Sequence, residues 1–522
     1  PPPPPPPQFS SRRRHTRLHE KSRGLGDVYK RQALGALCAA CVSEPMLASL
    51  GGGGFLMAQP ADTRSVVYDF FVQTPGRHRP GNELDFFPIL ADFGAATQEF
   101  HIGMGSIAVP GVVAGLFEIH RRHCRLPMKE IMAPAIDLAR NGVRVNPFQN
   151  YISHILSPIL EATPQAMELV ASEANPGRIA DPDESVFHRD LANVLEALAI
   201  EGPDLFYRGD LARLLANDCE ENGGLLTLQD LESYRVIPRE PVRFSSHGAE
   251  FSFNSPPSPS GCLVAFALGL LEERDLAGHR WGHAYHCLSM GQAMQAAGRL
   301  RKESMADSGL TEAQVAKILD PEHLASWRES MHHKAQVTRG TTHMSVADAE
   351  GNLASMTISN GEGCAYVLPE TGIMLNNMLG EEDLSPAGFH RWKENVRMAS
   401  MMCPSVASLP DGSKVALGSG GSNRIRSAIL QVLVNLFEFD LSLEMAVVAP
   451  RLHLEGGHLS VEAGFEAATQ QSLMEECPDH RVWPEPNMFF GGVHAVDRLP
   501  DGIFRGAGDP RRGGAVMRAG EN

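Results

Sequence analysis

Residues 341–359 hold two short runs of alternating residues, TTHMSVAD and NLASMTIS, separated by Ala-Glu-Gly. Alternation predicts β-strands, and a three-residue loop ending in glycine is typical of a hairpin with a left-handed third loop residue. Closing that hairpin fixes its register and places Thr341 opposite Ser359. One face then gathers the polar side chains Thr341, His343, Ser345, Thr357 and Ser359. A strand built only for packing would not collect hydroxyl groups at its open end.

The hairpin separates two regions of different character. Before it, helical patterns predominate, with two helices predicted within 108–142 and others at about 189–200, 209–222, 279–306 and 311–331. Residues 332–340 have no periodicity and are expected to be exposed. From 341 onward, short strands and Asp-Gly turns predominate, interrupted by one strong helix at about 423–438. We therefore expect the last third of the chain to supply the central strands of the fold.

Composition limits the classes of function. The 522 residues are enough for a large core, and the formal net charge of -16 disfavours nucleic acid as a partner. The sequence contains no apolar run of membrane-spanning length, so no membrane span is expected. Nine scattered cysteines predict neither a disulfide framework nor a zinc site, and they favour a reducing compartment such as the cytoplasm. Neither a metal nor a cofactor is expected.

Residues 1–32 differ from the chain that follows them. Seven prolines precede a basic stretch without periodicity. We interpret this segment as a non-native or disordered leader and leave it out of the fold prediction. Because a signal peptide would be sought in this part of a chain, the sequence leaves the compartment undetermined.

Thr341 begins a predicted strand directly after the exposed segment and Gly340. If the bond between Gly340 and Thr341 were cut, Thr341 would have both a hydroxyl and a free α-amine. An α-amine with a pKa near 8 can act as the base for the hydroxyl of its own residue. Glycine before the bond removes steric bulk and permits a strained peptide. The residues therefore suggest a threonine nucleophile exposed by cleavage.

Two glycine-rich segments lie on either side of this hairpin in the sequence. LGSGGSNRIRSAILQVL, residues 417–433, predicts a strand end, a glycine loop and a helix start. Backbone N–H groups at Gly421 and Ser422 could stabilise an anion there, although such helix starts also occur for structural reasons alone. Without a Lys-Ser or Lys-Thr ending it is a poor phosphate loop. The four glycines at 51–54 are better explained by close backbone packing than by phosphate binding.

Several strings together resemble the γ-glutamyltransferases (γ-glutamyltranspeptidases), a family of N-terminal nucleophile hydrolases. In family order from about residue 33 to 516, they are EPMLASLGGGGFLM, GSIAVPGVVAGLFEIH, MAPAIDLARNGVRVN, NSPPSPSG, TTHMSVADAEGNLASMT, GIMLNNM, GSGGSNRIRSAILQVLVN and APRLH. The resemblance implies an α/β (α+β) fold, a four-layer αββα sandwich cleaved into two subunits that remain together. Residues 33–340 would form the large subunit and 341–522 the small subunit. It also implies an enzyme that cleaves or transfers an acyl group from an amide through an acyl-Thr341 intermediate.

The resemblance assigns roles to individual residues. Thr341 would be the nucleophile, and Ser359, where the family usually has threonine, would position it. The amides of Gly421 and Ser422 would form the oxyanion hole. Among the substrate-binding positions, Asn360 matches a family asparagine and Glu381 stands where the family usually has aspartate. Ser400 would hold the donor α-carboxylate, while Met401 replaces a second serine.

The main departure from the family is at Phe71. The family usually has an arginine there, two residues after an aspartate, and it pairs with the α-carboxylate of the γ-glutamyl group. Phenylalanine cannot form that charge-assisted contact, although Arg77 or Arg79 could reach in from the next loop. We therefore expect an altered donor specificity. The alternatives are a non-glutamyl acylase on the same scaffold and an unprocessed pseudoenzyme used for binding.

Overall fold

The computed structural model describes residues 28–61, 63–92, 97–304, 309–328, 341–385 and 388–518. Most of the predicted leader and Gly340, with the segment before it, lie outside these ranges. The helices are α1 (Val28–Ser43), α2 (Val112–His123), α3 (Met128–Asn141), α4 (Pro147–Ile155), α5 (Ser157–Leu160), α6 (Pro164–Glu168), α7 (Arg189–Glu201), α8 (Asp204–Tyr207), α9 (Asp210–Glu221), α10 (Leu228–Ser233), α11 (Ser260–Leu271), α12 (Ala284–Ser304), α13 (Glu312–Ile318), α14 (Pro321–Arg328), α15 (Arg424–Phe437), α16 (Leu443–Val448) and α17 (Ala467–Glu476).

The strands are β1 (Gly53–Gln59), β2 (Val66–Phe70), β3 (Phe87–Asp92), β4 (Thr97–Ile102), β5 (Val143–Arg144), β6 (Ala171–Ser172), β7 (Asn175–Ile179), β8 (Ser185–Val186), β9 (Ile237–Arg239), β10 (Val242–Ser246), β11 (Ala249–Phe253), β12 (Thr342–Ala347), β13 (Leu353–Ser359), β14 (Val367–Leu368), β15 (Ile373–Met374), β16 (Ser405–Ser408), β17 (Lys414–Gly420), β18 (Leu452–Glu455), β19 (His458–Glu462), β20 (His480–Trp483), β21 (Gly492–Arg498) and β22 (Phe504–Ala507).

Two larger sheets form the centre of the molecule. The first has the strand order β12-β13-β1-β2-β9, and the second has the order β10-β11-β16-β17-β21-β22. Strands β12 and β13 of the first sheet pack against β17 of the second. Within this interface the Ser355 hydroxyl donates a hydrogen bond to the Leu417 carbonyl, 2.8 Å away.

The side chains of β1 point alternately to the two faces of the first sheet, and their contacts show how the sheets and helices form four layers. Phe55 and Met57 face the second sheet and belong to the same apolar cluster as α11 and α15. Leu56 and Ala58 face the other way and pack with α1, α2, α3 and α7. Each sheet therefore has helices on its outer face and the other sheet on its inner face, which is the predicted αββα sandwich.

Strands from the first part of the chain contribute more than the sequence predicted. The central strand of the first sheet is β1, and β2 and β9 also precede the hairpin. Strands β10 and β11 form one edge of the second sheet. The last third supplies two strands of the first sheet and most of the second. The prediction that the last third provides the central strands is thus wrong for the first sheet, because buried strands such as β1 lack a period-2 pattern.

The predicted helix ends agree with the structure where the local signal is strong. Helix α3 ends at Asn141, and its C-cap is Gly142 with a φ of 91°. Helix α15 occupies Arg424–Phe437, close to the predicted 423–438. Within the described ranges, the helices are all too short or too polar to cross a bilayer.

Two buried histidines make the fold sensitive to acid. Burial lowers the pKa of the His188 and His286 imidazoles to about 4. In the unfolded chain a histidine takes up a proton near pH 6.5, so below that pH protons bind the unfolded state and favour unfolding.

We expect the free energy of unfolding to fall by at least about 3 kcal/mol per pH unit between about pH 6.5 and 4. His188 and His286 each contribute about 1.4, and burial also lowers the pKa of His343 and His494, which adds to the slope. Unfolding curves recorded across this range measure the slope. His286→Gln should reduce it, whereas Met290→Leu, a change of a buried side chain that does not titrate, should not. An unchanged slope in His286→Gln would contradict this account.

Candidate active site

The hairpin of β12 and β13 has the predicted register. Thr342 pairs with Ile358 and His343 with Thr357, so Thr341 lies opposite Ser359 one step further on. Gly351, the third residue of the loop, has a φ of 89°. Thr341 and Ser359 are each 5% exposed, which places the predicted nucleophile and its partner inside the sandwich.

His343 is tied into the hairpin and is not placed to act as a base for Thr341. One ring nitrogen lies 2.8 Å from the Thr357 hydroxyl and the other 2.9 Å from the Ser345 hydroxyl. Burial keeps the pKa of His343 well below its usual value, so the ring is neutral at physiological pH. A free α-amine on Thr341 therefore remains the predicted base.

The predicted oxyanion loop lies beside Thr341. Strand β17 ends at Gly420, and a β-carbon there would come within 2.0 Å of the Thr341 carbonyl oxygen. The next two residues, Gly421 and Ser422, have φ values of 120° and 49°. Their carbonyls accept hydrogen bonds from Arg424 and Ile425 as α15 begins. The amides of Gly421 and Ser422 themselves lie just before this helix N-terminus, where they could stabilise an oxyanion.

A set of hydrogen bonds holds this loop to the segment that contains Glu381. The Ser422 hydroxyl donates to Asp383 over 3.0 Å. Arg301 of α12 donates to the Asn423 side chain over 2.7 Å and to the Asp383 carbonyl over 3.3 Å. These contacts support the left-handed backbone of Ser422, which is a strained conformation for a residue with a side chain.

Arg512 and Glu44 lie close to Thr341 and Thr342, and the sequence did not predict either. The Arg512 guanidinium donates to the Thr341 carbonyl over 3.5 Å. Burial lowers the pKa of this guanidinium to about 10, so it remains a cation at neutral pH. On the other face of β12, the Thr342 hydroxyl donates to Glu44 over 2.6 Å. The two contacts hold Thr341 and Thr342, the first two residues after the predicted cleavage point.

Arg512 owes its position to a buried ion network. Asp509 accepts hydrogen bonds from Arg451, at 2.7 Å, and from Arg511, at 3.2 Å. Arg511 also pairs with Glu462. Because both partners of each pair are buried, removing one would leave an uncompensated charge. The network therefore keeps the segment before Arg512 in one position.

Ser359, Asn360 and Glu381 meet around a glycine. The Ser359 hydroxyl accepts a hydrogen bond from the Gly361 amide at 3.0 Å. Gly361 has no room for a side chain, because its β-carbon would lie 2.6 Å from Oε1 of Glu381. Asn360 is fully buried, and its Oδ1 has no hydrogen-bond partner among the described residues. That oxygen can accept from a substrate N–H.

Ser400 and Met401 are buried in the next segment along. The Ser400 hydroxyl accepts from the Met402 amide at 3.1 Å, and the Ser400 amide donates to Ser258 over 3.2 Å. Just before them, the Met398 amide donates to the carbonyl of Val72. Ser400 and Met401 thus follow a stretch that lies against the residue next to Phe71.

Phe71 is 1% exposed and stacks on Phe55 with ring centroids 5.4 Å apart. Its amide donates to Asp69, whose carboxylate also accepts from Arg397 and Arg239. The backbone of Phe71 packs against Gly53, the strand partner of Ser359. The position that the resemblance assigns to an arginine is therefore one strand away from Ser359 and is filled by a ring of the inter-sheet core.

Arg77 and Arg79 are both directed to Glu220. Arg79 lies 2.7 Å from its carboxylate, and the Arg77 guanidinium pairs with the same residue and donates to the Leu225 carbonyl over 2.9 Å. The structure therefore places the guanidinium groups of both arginines against α9 and not beside Phe71.

The remaining candidates have structural explanations. The nine cysteines are free thiols, and burial raises the pKa of Cys364 and Cys403, which makes them poor nucleophiles. The glycines at 51–54 allow close packing, since a β-carbon on Gly52 would lie 2.5 Å from the Ser359 carbonyl. In the part of the chain that is described, His, Cys, Asp and Glu side chains do not form a group of three that could hold a metal ion.

We expect Gly420→Ala to lower activity at least a hundredfold and to impair fragment formation. The added methyl would meet a backbone carbonyl at 2.0 Å, so the strand end must move away from Thr341. Turnover and the fragment pattern on a denaturing gel measure the effect. Gly298→Ala is the matched control, because its β-carbon meets nothing within 4 Å in α12. Normal activity in Gly420→Ala would contradict the described contact.

Comparison with known proteins agrees with this geometry. Residues 33–519 match the family model described as Gamma-glutamyltranspeptidase. The Acylase ACY 1 proenzyme of Pseudomonas sp. (strain V22) is 32% identical over 492 residues, which cover 91% of this chain and 86% of that protein. The Glutathione hydrolase proenzyme of Escherichia coli (strain K12) is 27% identical over 506 residues, covering 91% and 84%.

A solved structure, the cephalosporin acylase from Bacillus halodurans, superposes with a TM-score of 0.79. Its sequence identity is 22%, and the match covers 93% of this chain and 90% of that one, so the likeness concerns the fold. The family match and the acylase relative together confirm the resemblance seen in the sequence. The chain belongs to the gamma-glutamyltranspeptidase family and is an enzyme with the N-terminal nucleophile hydrolase fold.

Proposed function

We propose that this enzyme is an autoprocessed amide-bond acylase whose preferred donors lack the α-carboxylate of a γ-glutamyl group. The observation that supports this most directly is Phe71, buried against Phe55 where the family arginine would stand. An apolar ring offers no hydrogen bond to a carboxylate, and desolvating an unpaired carboxylate there is costly. Arg77 and Arg79, the possible substitutes, are paired with Glu220.

Maturation would begin at Gly340–Thr341. The Thr341 hydroxyl attacks the Gly340 carbonyl carbon, the C–N bond breaks, and the acyl group moves from nitrogen to oxygen. Water then hydrolyses the ester and leaves a carboxylate on Gly340 and a free amine on Thr341. The fragments 1–340 and 341–522 remain associated as a heterodimer, which the shared sheet of β1 and β13 supports. Two relatives are named proenzymes, which fits a precursor of this kind.

Turnover uses the hydroxyl and the free α-amine of Thr341. The Thr341 amine takes the hydroxyl proton while the oxygen attacks the substrate amide carbonyl. The amides of Gly421 and Ser422 stabilise the tetrahedral oxyanion, and Ser359 holds the nucleophile in place. The protonated amine then gives its proton to the leaving nitrogen. Water releases the acyl group from Thr341, or an acceptor amine takes it.

A second candidate is γ-glutamyl transfer or glutathione hydrolysis. Glu381 and Asn360 lie beside Ser359, where they could hold a donor α-amine. The Escherichia coli relative is named a glutathione hydrolase. These contacts are compatible with a γ-glutamyl donor, but they leave its α-carboxylate without a cation.

The test is a comparison of kcat/KM for two sets of p-nitroanilides on processed protein. Acetyl and straight-chain alkanoyl anilides should be turned over, and γ-glutamyl-p-nitroanilide should be a poor donor. A γ-glutamyl donor that exceeds every alkanoyl donor would favour the second candidate.

A further inference from the structure

Six rings from three segments of the chain form one continuous group, which we call the ring cluster: His78, Phe86, His101, Phe389, His390 and Trp392. Phe86 stacks on His101 with centroids 4.7 Å apart and meets His390 edge-on at 4.4 Å. Phe389 lies 4.4 Å from His101. Trp392 stacks on His78 at 5.0 Å. Most of these rings are only partly buried.

The ring cluster lies next to the active site. Gly380 packs so tightly on the His101 carbonyl that a β-carbon would come within 2.1 Å of its oxygen, and Glu381 is the next residue. Past Trp392, the chain pairs with the stretch after Phe71, since the Thr74 amide donates to the Val396 carbonyl. Trp392 itself packs against the apolar cluster that contains Phe71. The segments that carry the rings therefore contact the residue before Glu381 and pair with the stretch after Phe71.

The cluster has features of a binding surface. In the described residues, Nδ1 of His390 and Nε1 of Trp392 are buried and have no hydrogen-bond partner. His390 and Asn395 have φ values of 61° and 55°, in a region that side chains rarely adopt. Exposed apolar residues flank the rings, including Phe87 at 41% and Val396 at 42%. Strain, unpaired polar atoms and exposed apolar surface together indicate a ligand site.

We propose that the ring cluster binds the distal end of the acyl group and that the preferred donors are arylacyl amides. This inference rests on the proposed acylase function and names its substrate class. A flat aromatic ring gains most from such a surface, because it can stack on His78 and Trp392 or meet Phe86 edge-on. Glu381 and Phe71 are the positions that the resemblance assigns to the donor's acyl side. Because their neighbours Gly380 and Thr74 contact the segments that carry the rings, we assign the part of a donor that reaches the rings to its acyl group.

The test uses ω-phenylalkanoyl p-nitroanilides of increasing chain length and straight-chain alkanoyl p-nitroanilides of equal length. The leaving group is the same throughout, so differences report on the acyl side. At the best length, kcat/KM should favour the phenyl donor by about three- to tenfold, the range expected of one aromatic contact. Trp392→Ala should remove this preference and Trp392→Phe should keep most of it.

Trp281→Ala is the matched control, because Trp281 contacts Phe465 and Asn435 and lies in neither site. It should leave the ratio of phenyl to alkyl donors unchanged. Equal losses for all anilides in Trp392→Ala, acetyl included, would place the rings at the leaving group and overturn the proposal. The same conclusion would follow if no chain length showed a phenyl preference.

A binding measurement separates this proposal from the proposed function. Free ω-phenylalkanoic acids should change the tryptophan fluorescence of the wild-type protein, and alkanoic acids of equal length should not. Trp392→Phe should lose most of that change. If every p-nitroanilide is inert but this fluorescence response is present, the proposed acylase activity is contradicted and aryl binding by the ring cluster is supported. If the enzyme is active but the fluorescence response is absent, only the proposal that the ring cluster binds aryl groups is overturned.

Discussion

Replacing Thr341 by alanine is expected to leave one unprocessed chain and to abolish turnover. Alanine has no hydroxyl, so the Gly340 carbonyl is not attacked and no amine or nucleophile is set free at residue 341. His343 cannot substitute, since both of its ring nitrogens face hydroxyls of the hairpin. A denaturing gel should show a single band near 56.6 kDa, and activity should fall by at least about a thousandfold.

Two variants make this result specific. Thr341→Ser keeps both the hydroxyl and the future amine, so it should still be cleaved, although more slowly. Thr342→Ala loses only the hydrogen bond to Glu44 and should also give two fragments. Terminal sequencing of the smaller wild-type fragment should begin at Thr341. An intact wild-type chain with full activity would refute the proposed maturation.

The hairpin shows which parts of the site the sequence could predict. Its register depends on local alternation and on a loop whose last residue, Gly351, adopts a positive φ. Both signals lie within 19 consecutive residues, so the pairing of Thr341 with Ser359 could be inferred from the sequence. The helix start after Ser422 was predictable for the same reason.

Contacts made over long sequence separations could not be predicted in this way. Arg512 reaches Thr341 from a segment held by Asp509, and nothing in the string DPRRGG indicates that position. Glu44 contacts Thr342 across almost 300 residues. The central place of β1 in the first sheet is likewise a tertiary property, because a strand buried on both faces has no alternating pattern.

Donor selectivity is expected to be the largest difference between this enzyme and one that uses glutathione. A hydrogen bond to a charged group contributes about 1.5–3 kcal/mol, so losing the family arginine and one serine contact costs on the order of 3–6 kcal/mol. That corresponds to at least a hundredfold in kcat/KM. Wild-type protein should therefore turn over γ-glutamyl-p-nitroanilide at least about a hundred times less efficiently than a family member that keeps both contacts. Its best alkanoyl or arylacyl anilide should be a better donor than γ-glutamyl-p-nitroanilide.

Phe71→Arg, with or without Met401→Ser, should shift this ratio at least tenfold toward the γ-glutamyl donor. The informative quantity is the ratio, because a guanidinium beside Phe55 also costs packing and lowers stability. Phe71→Leu is the matched control: it removes the ring without adding a charge, so it should not improve γ-glutamyl turnover.

Arg77→Ala and Arg79→Ala should leave the ratio unchanged, because both arginines pair with Glu220. If wild-type protein turns over glutathione efficiently and neither arginine variant reduces that rate, Phe71 does not determine specificity.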